Sequence, residues 1–350
     1  MKSTNDIIFM QRCIQLAKLG KGNVSPNPLV GSVIVYKGKI IGAGYHRAYG
    51  EGHAEVNAIA SVIDKSLLSK STIYVTLEPC AHQGKTPPCA NLIIKSKISK
   101  VVIGSLDPHD KVAGKGIELI QNAGIEVITN VLKDECEALN PFFLTYHRKE
   151  RPYIILKWAQ SADGYMDRER SNSSQQINWI TQPETQQITH GWRAEVDAIL
   201  VGKNTVINDN PSLTVRVNVG KNPIRIVLDS NNELDLKLKV FSSTAKTIVY
   251  NLAKESVEDH IKWIKPQEEK YSIKDLIKQL YILDIQSIII EGGKTTLESF
   301  IAQGLWDEAR ILTGTTSFGN GLIAPKLTGS YKQTDTIDLN IDQINIYKNA

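Results

Sequence analysis

Cysteine is scarce: the chain has four in 350 residues, Cys13, Cys80, Cys89 and Cys136. That excludes a disulfide framework and leaves a reduced, cytoplasmic chain as the expectation, in which clustered cysteines point to a metal or to catalysis. Long apolar runs are also missing. Ile288-Ile289-Ile290 is typical, far below the ~20 residues needed to span a bilayer. Near the start, Gln11-Arg12 closes Ile7-Ile8-Phe9-Met10 too soon for a signal-peptide core. Neither sign of charge dominates, the formal net charge being +4. Residues 1–150 hold 18 Lys and Arg against 13 Asp and Glu, and residues 151–350 hold 23 against 24. A mildly basic first part suits a phosphorylated small molecule and falls short of the dense stripe of a nucleic-acid binder. No internal repeat, low-complexity tract or GxGxxG after a strand is present, so the Rossmann dinucleotide fingerprint is excluded.

What is present reads as two α/β domains. The length alone suggests two, and 41% hydrophobic with 22% charged residues is ordinary for a globular chain. Ile7, Ile8, Met10, Ile14 and Leu16 recur at nearly helical spacing up to Gly20. Leu29–Tyr36 and Ile40–Tyr45 read as strands about Lys37-Gly38-Lys39. Then follow helix Ala54–Ile63, strand Ser71–Leu77, helix Cys89–Ser96, strand Val101–Ser105, helix Lys115–Asn122 and strand Ile125–Ile128. A helical segment from Leu132 to Tyr146 runs into Asn140-Pro141, and the charged tract His147–Pro152 marks a boundary near residue 150. Beyond it the pattern restarts: strand Tyr153–Lys157, helix Pro183–Ala194, strands Ala198–Val201, Ile224–Leu228 and Thr247–Tyr250, helix Ile273–Leu280, strand Ser287–Glu291, helix Thr295–Ile301. Strands separated by helices imply parallel pairs with helices on the sheet faces.

The strongest chemical signal lies in the first domain. His53-Ala54-Glu55 precedes Pro79-Cys80, and Cys89 follows with eight intervening residues. A catalytic zinc takes three protein ligands and keeps a fourth position for water, which one imidazole and two thiolates satisfy. His53 would begin one helix, and Cys80 and Cys89 would end a loop that opens the next, where helix N-termini favour thiolate. Glu55 is not needed as a ligand and can carry a proton from water to a departing amine. Zinc deaminases carry His-x-Glu followed by Pro-Cys-x-x-Cys, whereas the second half is longer here. Taken singly, each of these residues is as readily a satisfied core residue; the combination of ligand types, order and flanking prolines favours one zinc per chain. Cys13 and Cys136 lie in helical stretches and read as packing. In the second half, Glu291-Gly292-Gly293-Lys294 follows an apolar strand and precedes a helix, a place where backbone can approach a pyrophosphate. A plain turn is the competing reading.

Several longer motifs carry a specific resemblance: Ser25-Pro26-Asn27-Pro28-Leu29-Val30-Gly31, His53-Ala54-Glu55-Val56-Asn57-Ala58, Thr76-Leu77-Glu78-Pro79-Cys80, Gly84-Lys85-Thr86-Pro87-Pro88-Cys89 and Lys111–Gly116. With Leu156–Gly164, Trp179-Ile180-Thr181 and Asp209–Arg216, the set resembles the bifunctional riboflavin-biosynthesis deaminase–reductases over nearly the whole chain. The long cysteine spacing is the form that family uses. The resemblance implies an N-terminal cytidine-deaminase-like zinc domain (1–148) and a C-terminal dihydrofolate-reductase-like domain (149–350). It implies hydrolytic deamination of a diaminopyrimidinone bearing a phosphoribosylamino group, then reduction of the ribosyl part by NADPH, in a homo-oligomer. Carried over by motif, His53, Cys80 and Cys89 bind zinc, Glu55 shuttles the proton, and Asn27, His46, Lys85 and Asp107 line the substrate pocket. In the reductase half, Ala159, Trp179, Thr205, Asp209, Gly292 and Gly293 would contact NADPH, with Ser230 proposed for its 2′-phosphate. Arg193, Leu213, Arg216 and Glu291 would hold the substrate, and Lys157 would act electrostatically near the opening sugar. Two positions depart from the family pattern: His109 stands where asparagine is usual after Asp-Pro, and Ile177 where serine precedes x-Trp.

Two other classes compete. A nucleic-acid base deaminase with an accessory domain accounts for the zinc motif and leaves Glu291-Gly292-Gly293 idle; salt-dependent RNA binding would mark it. A non-catalytic zinc-stabilised binding module would need a fourth ligand, and three are evident.

Overall fold

The computed structural model describes residues 4–81, 87–108, 114–169, 178–267 and 271–350. The chain divides into two compact units, Met1–Lys149 and Glu150–Ala350.

The first unit runs α1 (Thr4–Ala17), β1 (Gly31–Tyr36), β2 (Lys39–Tyr45), α2 (Ala54–Ser61), β3 (Thr72–Leu77), α3 (Cys89–Lys95), β4 (Lys100–Ser105), α4 (Lys115–Asn122), β5 (Glu126–Ile128), α5 (Lys133–Glu137) and α6 (Pro141–Lys149). The sheet order is β2-β1-β3-β4-β5. β1 is antiparallel to β2 and β3, while β3, β4 and β5 are parallel. Alternation along each strand divides the core in two. Ile34, Ile73, Val75, Val101 and Ile103 pack with α2, α3 and α4, whereas Val33, Val35, Tyr74 and Val102 pack with Met10, Cys13 and Cys136. Both packing cysteines are buried and free.

Two expectations are corrected here. The helical stretch Leu132–Tyr146 is two helices, α5 and α6, broken at Asn140. Asn140 uses its side-chain amide on both backbone groups of Leu29, accepting from its N–H at 2.7 Å and donating to its carbonyl at 2.9 Å. Pro141, which has no N–H to give, then starts the new helix. Because Leu29 bonds to Asn140, the first strand begins at Gly31 rather than Leu29.

The second unit runs β6 (Tyr153–Gln160), β7 (Tyr165–Asp167), α7 (Pro183–Glu195), β8 (Ala198–Gly202), α8 (Lys203–Asp209), β9 (Ile224–Leu228), β10 (Thr247–Tyr250), β11 (Ser256–Glu258), β12 (Ile261–Ile264), α9 (Ile273–Ile282), β13 (Ser287–Gly292), α10 (Lys294–Ala302), β14 (Glu308–Thr313), β15 (Leu322–Ile323), β16 (Tyr331–Asp338) and β17 (Gln343–Asn349). Ten strands form one sheet in the order β11-β12-β10-β9-β8-β13-β6-β14-β17-β16. From β12 to β14 every neighbouring pair is parallel. Ile154, Leu156, Trp158, Leu200, Ile288 and Ile290 pack against Leu276, Leu280, Leu297 and Phe300 of α9 and α10. The start of α7 is capped from far along the chain. Asp342 accepts from the Gln182 N–H at 2.6 Å and the Thr185 hydroxyl at 2.5 Å.

The hydrophobic pattern marks no strand after Ile301, yet β14, β16 and β17 extend the sheet there. Nearly all of β16 is exposed, so its residues lack the apolar alternation that marks a half-buried strand. Lys157, expected at a strand end, lies inside β6.

Candidate active sites

In the first unit, the N-terminus of α2 and the loop before α3 converge. His53 is the N-cap of α2, and Cys89 is the first residue of α3. The Cys80 and Cys89 sulfurs lie 3.6 and 3.3 Å from His53 Nδ1, and the three donor atoms fall within 4.8 Å of one another. Tetrahedral zinc with ordinary bond lengths would set nitrogen and sulfur about 3.6 Å apart, so the donor set fits the metal.

The first turn of α3 prepares one ligand in an unexpected way. The Cys89 N–H donates to the Cys80 sulfur at 3.3 Å, and the Cys89 thiol lies close to it. Cys80 is thereby pulled well below the ordinary thiol range, with His53 adding to the effect. The same contact and burial hold the Cys89 proton well above that range.

Glu55, in the first turn of α2, is 3% exposed, and burial, reinforced by Cys80, pushes its carboxyl up to about 7. A carboxyl poised near neutrality can both take and return a proton. Beside it, His46 is buried, and its ring meets that of His53 edge-on at 5.4 Å. Burial lowers the His46 pKa, so the ring is neutral. Its Nδ1 lies 3.2 Å from the Gly52 carbonyl and must carry the proton, leaving Nε2 to accept from the Asn27 amide at 3.1 Å. Asn27 is thus fixed with its amide nitrogen towards His46.

Asp107 is linked to this region through Glu78, a residue the motif contained and sequence reasoning passed over. The buried Glu78 carboxylate accepts N–H groups of Asp107 (3.4 Å), Gly114 (3.1 Å), Gly116 (3.1 Å) and Ile117 (3.4 Å). A Cβ on Gly116 would sit 2.0 Å from the Pro79 carbonyl oxygen, so only glycine lets α4 approach the strand that leads to Cys80. Lys85, His109 and Ile177 lie outside the described residues.

In the second unit, a cleft of ≈ 970 Å³ opens at the C-terminal ends of β6, β8 and β13, where parallel sheets bind their ligands. It brings together Ala159, Trp179, Thr205, Asp209, Ser230, Gly292 and Gly293 with Lys157, Arg193, Leu213, Arg216 and Glu291. Ile290 pairs with Leu156 in the β13–β6 register, which sets Glu291 beside Lys157. Arg193, on α7, grips both oxygens of Glu291 at 2.8 and 2.6 Å, and Lys157 stands 3.8 Å from the same carboxylate. Burial alone would raise the Glu291 pKa; Arg193 and then Lys157 overcome it and hold it at about 2. Arg193 is therefore in an ion pair, and a buried one. Gly292 has φ +136°, a conformation open to glycine, and a Cβ on Gly293 would press within 3.2 Å of the Thr205 hydroxyl. That backbone leads into the N-terminus of α10, where free N–H groups can face an anion.

His190 also lines the cleft, and nothing local in the sequence marks it beyond a helical position one turn before Arg193.

Two family models match the chain: "RibD C-terminal domain" over residues 152–348, and "Cytidine and deoxycytidylate deaminase zinc-binding region" over residues 3–105. Riboflavin biosynthesis protein RibD of Aquifex aeolicus is 42% identical over 319 residues, covering 90% of this chain and 88% of the relative. That of Escherichia coli is 36% identical over 343 residues, covering 93% and 89%. The crystal structure of a diaminohydroxyphosphoribosylaminopyrimidine deaminase/5-amino-6-(5-phosphoribosylamino)uracil reductase from Thermotoga maritima superposes with a TM-score of 0.87 at 37% identity, over 99% of both chains. Acinetobacter baumannii RibD gives 0.87 at 33%, over 98% of both. Among the described residues, no helix is long and apolar enough to cross a membrane.

Proposed function

Since the chain belongs to the RibD family of bifunctional riboflavin-biosynthesis deaminase–reductases, we propose which of its residues perform each of the two reactions. The deaminase is assigned to residues 1–148 and the reductase to 149–350. The observation that carries the first half is the meeting of His53, Cys80 and Cys89 beside the buried Glu55.

A bound zinc supplies the Lewis acidity that makes water nucleophilic at neutral pH. His53 Nδ1 and the two sulfurs would hold it. Glu55 takes the proton of the attacking water and delivers it to the departing amine, leaving a carbonyl on the pyrimidine. Asn27, oriented by His46, presents its amide oxygen to the ring, and Asp107 and Lys85 complete the substrate contacts.

NADPH, when bound, supplies the hydride that opens the ribosyl ring to ribityl. Gly292, Gly293, Thr205, Ala159, Trp179 and Asp209 would seat the cofactor, with Ser230 at its 2′-phosphate. Glu291, kept ionised by Arg193, accepts hydrogen bonds from sugar hydroxyls, and Leu213 closes the pocket. Lys157 brings positive charge to the oxygen released as the sugar opens, and that oxygen takes its proton from water. Arg216 takes the phosphate through its planar guanidinium. We place the chain in the cytoplasm, where its four unpaired thiols stay reduced; a homo-oligomer belongs to the same proposal and is checked by light scattering.

The decisive experiment incubates purified protein with the diaminopyrimidinone phosphoriboside, with and without NADPH. Mass spectrometry should show the deaminated product alone without NADPH and its ribityl form with it. No change in substrate mass would sink the reading.

A further inference from the structure

We infer that His190 is a further substrate-binding residue of the reductase cleft, its Nε2–H joining Arg216 in holding the phosphate of the phosphoribosyl substrate. This deepens the reductase reading above and rests on it.

The imidazole is 4% exposed, yet it lines the cleft. Its protonation pattern is fixed from one side. Nδ1 accepts the backbone N–H of Arg216 at 3.1 Å, so a neutral ring must carry its proton on Nε2. Burial first, and then the charges of Arg193 and Arg216, lower its pKa to about 4, which keeps it neutral at physiological pH. Among the described residues, Nε2 has no hydrogen-bond partner. A buried imidazole with one nitrogen satisfied by the protein and the other left as a donor is built to meet a ligand.

The neighbours decide what kind of ligand. Arg193 spends its guanidinium on Glu291, while the Arg216 guanidinium makes no ion pair or hydrogen bond among the described residues. The charges that bear on His190 are those of Arg193, Arg216 and Lys157 against Glu291, a local excess of two positive charges that matches a phosphate monoester dianion. A neutral donor can enter such a cluster without adding to the repulsion that a fourth cation would meet. His190 thus has two hands: Nδ1 holds the Arg216 backbone in place, and Nε2–H reaches the same anion as the Arg216 side chain.

Three substitutions separate these roles. His190→Ala removes both, His190→Asn can keep the Nδ1-like acceptor, and His190→Gln can keep the Nε2-like donor. The probe is ribose 5-phosphate, as a competitive inhibitor of reduction by the full chain, with ribose as the phosphate-free control. His190→Ala and His190→Asn should weaken ribose 5-phosphate by roughly tenfold, the worth of one hydrogen bond to a charged group. His190→Gln should retain more of the affinity than His190→Asn, and NADPH affinity, read by tryptophan quenching, should not move. If His190→Asn matches the wild type, the residue only positions Arg216 and the proposal falls. Equal losses for ribose and ribose 5-phosphate would move the contact to a sugar hydroxyl, and a loss confined to NADPH would move it to the cofactor; either overturns it. Should the variants fail to fold, imidazole 15N spectra of the unmodified chain decide: the His190 Nε2–H signal must shift with ribose 5-phosphate and not with ribose. A wild-type chain that reduces nothing would instead overturn the reductase reading itself.

Discussion

The guanidinium of Arg193 and the carboxylate of Glu291 form a two-pronged ion pair across 98 residues of sequence, with both side chains mostly buried. Removing Arg193 leaves the mostly buried Glu291 carboxylate with the more distant Lys157 as its counter-charge. Arg193→Met should therefore cost about 3–5 kcal/mol, and adding Glu291→Leu should recover most of it while reduction stays lost. Tryptophan fluorescence in urea checks this on the full chain. All five tryptophans lie beyond residue 150, so the signal reports the reductase half alone.

Acid should loosen the same half in two overlapping steps. His190 has its pKa lowered from 6.5 to about 4, so the unfolded chain binds its proton first, and stability falls as pH drops from 6.5 towards 4. Glu291 is depressed from 4.5 to about 2, so its contribution is complete above pH 4.5 and lost as pH falls towards 2. Urea midpoints of His190→Asn should vary less between pH 6.5 and 4 than those of the wild type.

Metal binding and proton transfer should separate cleanly. Cys80→Ser should lose zinc by elemental analysis, because a serine hydroxyl is rarely ionised at neutral pH. Glu55→Gln should keep zinc and lose roughly two orders of magnitude or more of deamination. Chelation should abolish deamination and spare reduction of the already deaminated substrate.

Gly292→Ala would force a side chain onto φ +136°. NADPH affinity should fall by roughly tenfold or more, against a strain cost of about 1–3 kcal/mol. Deamination should be unchanged, measured by ammonia release without NADPH.

The zinc ligands were legible because their chemistry is carried by residue type and order, and the parallel strands because burial on both faces leaves apolar runs such as Ile288–Ile290. Glu78 was not legible. Its work is to collect N–H groups some 29 to 39 residues away, which no local pattern encodes. His190 looked like any helical histidine until the Arg216 backbone was found on its ring. β16 escaped because a strand with solvent on both faces has no period to read; the break at Asn140 has a local sign in Pro141, but the partner that fixes Asn140 sits 111 residues upstream, at Leu29.

The cap that Asp342 places on α7 also sets an order of events in a growing chain. The helix bearing His190 and Arg193 leaves the ribosome with the amide of Gln182 unanswered, and its acceptor is made 160 residues later. His53, Cys80 and Cys89 have all emerged by then. Zinc capture can thus be finished while the reductase half is still being translated, and a chain that stops before Asp342 would carry an intact metal site and an unanchored α7.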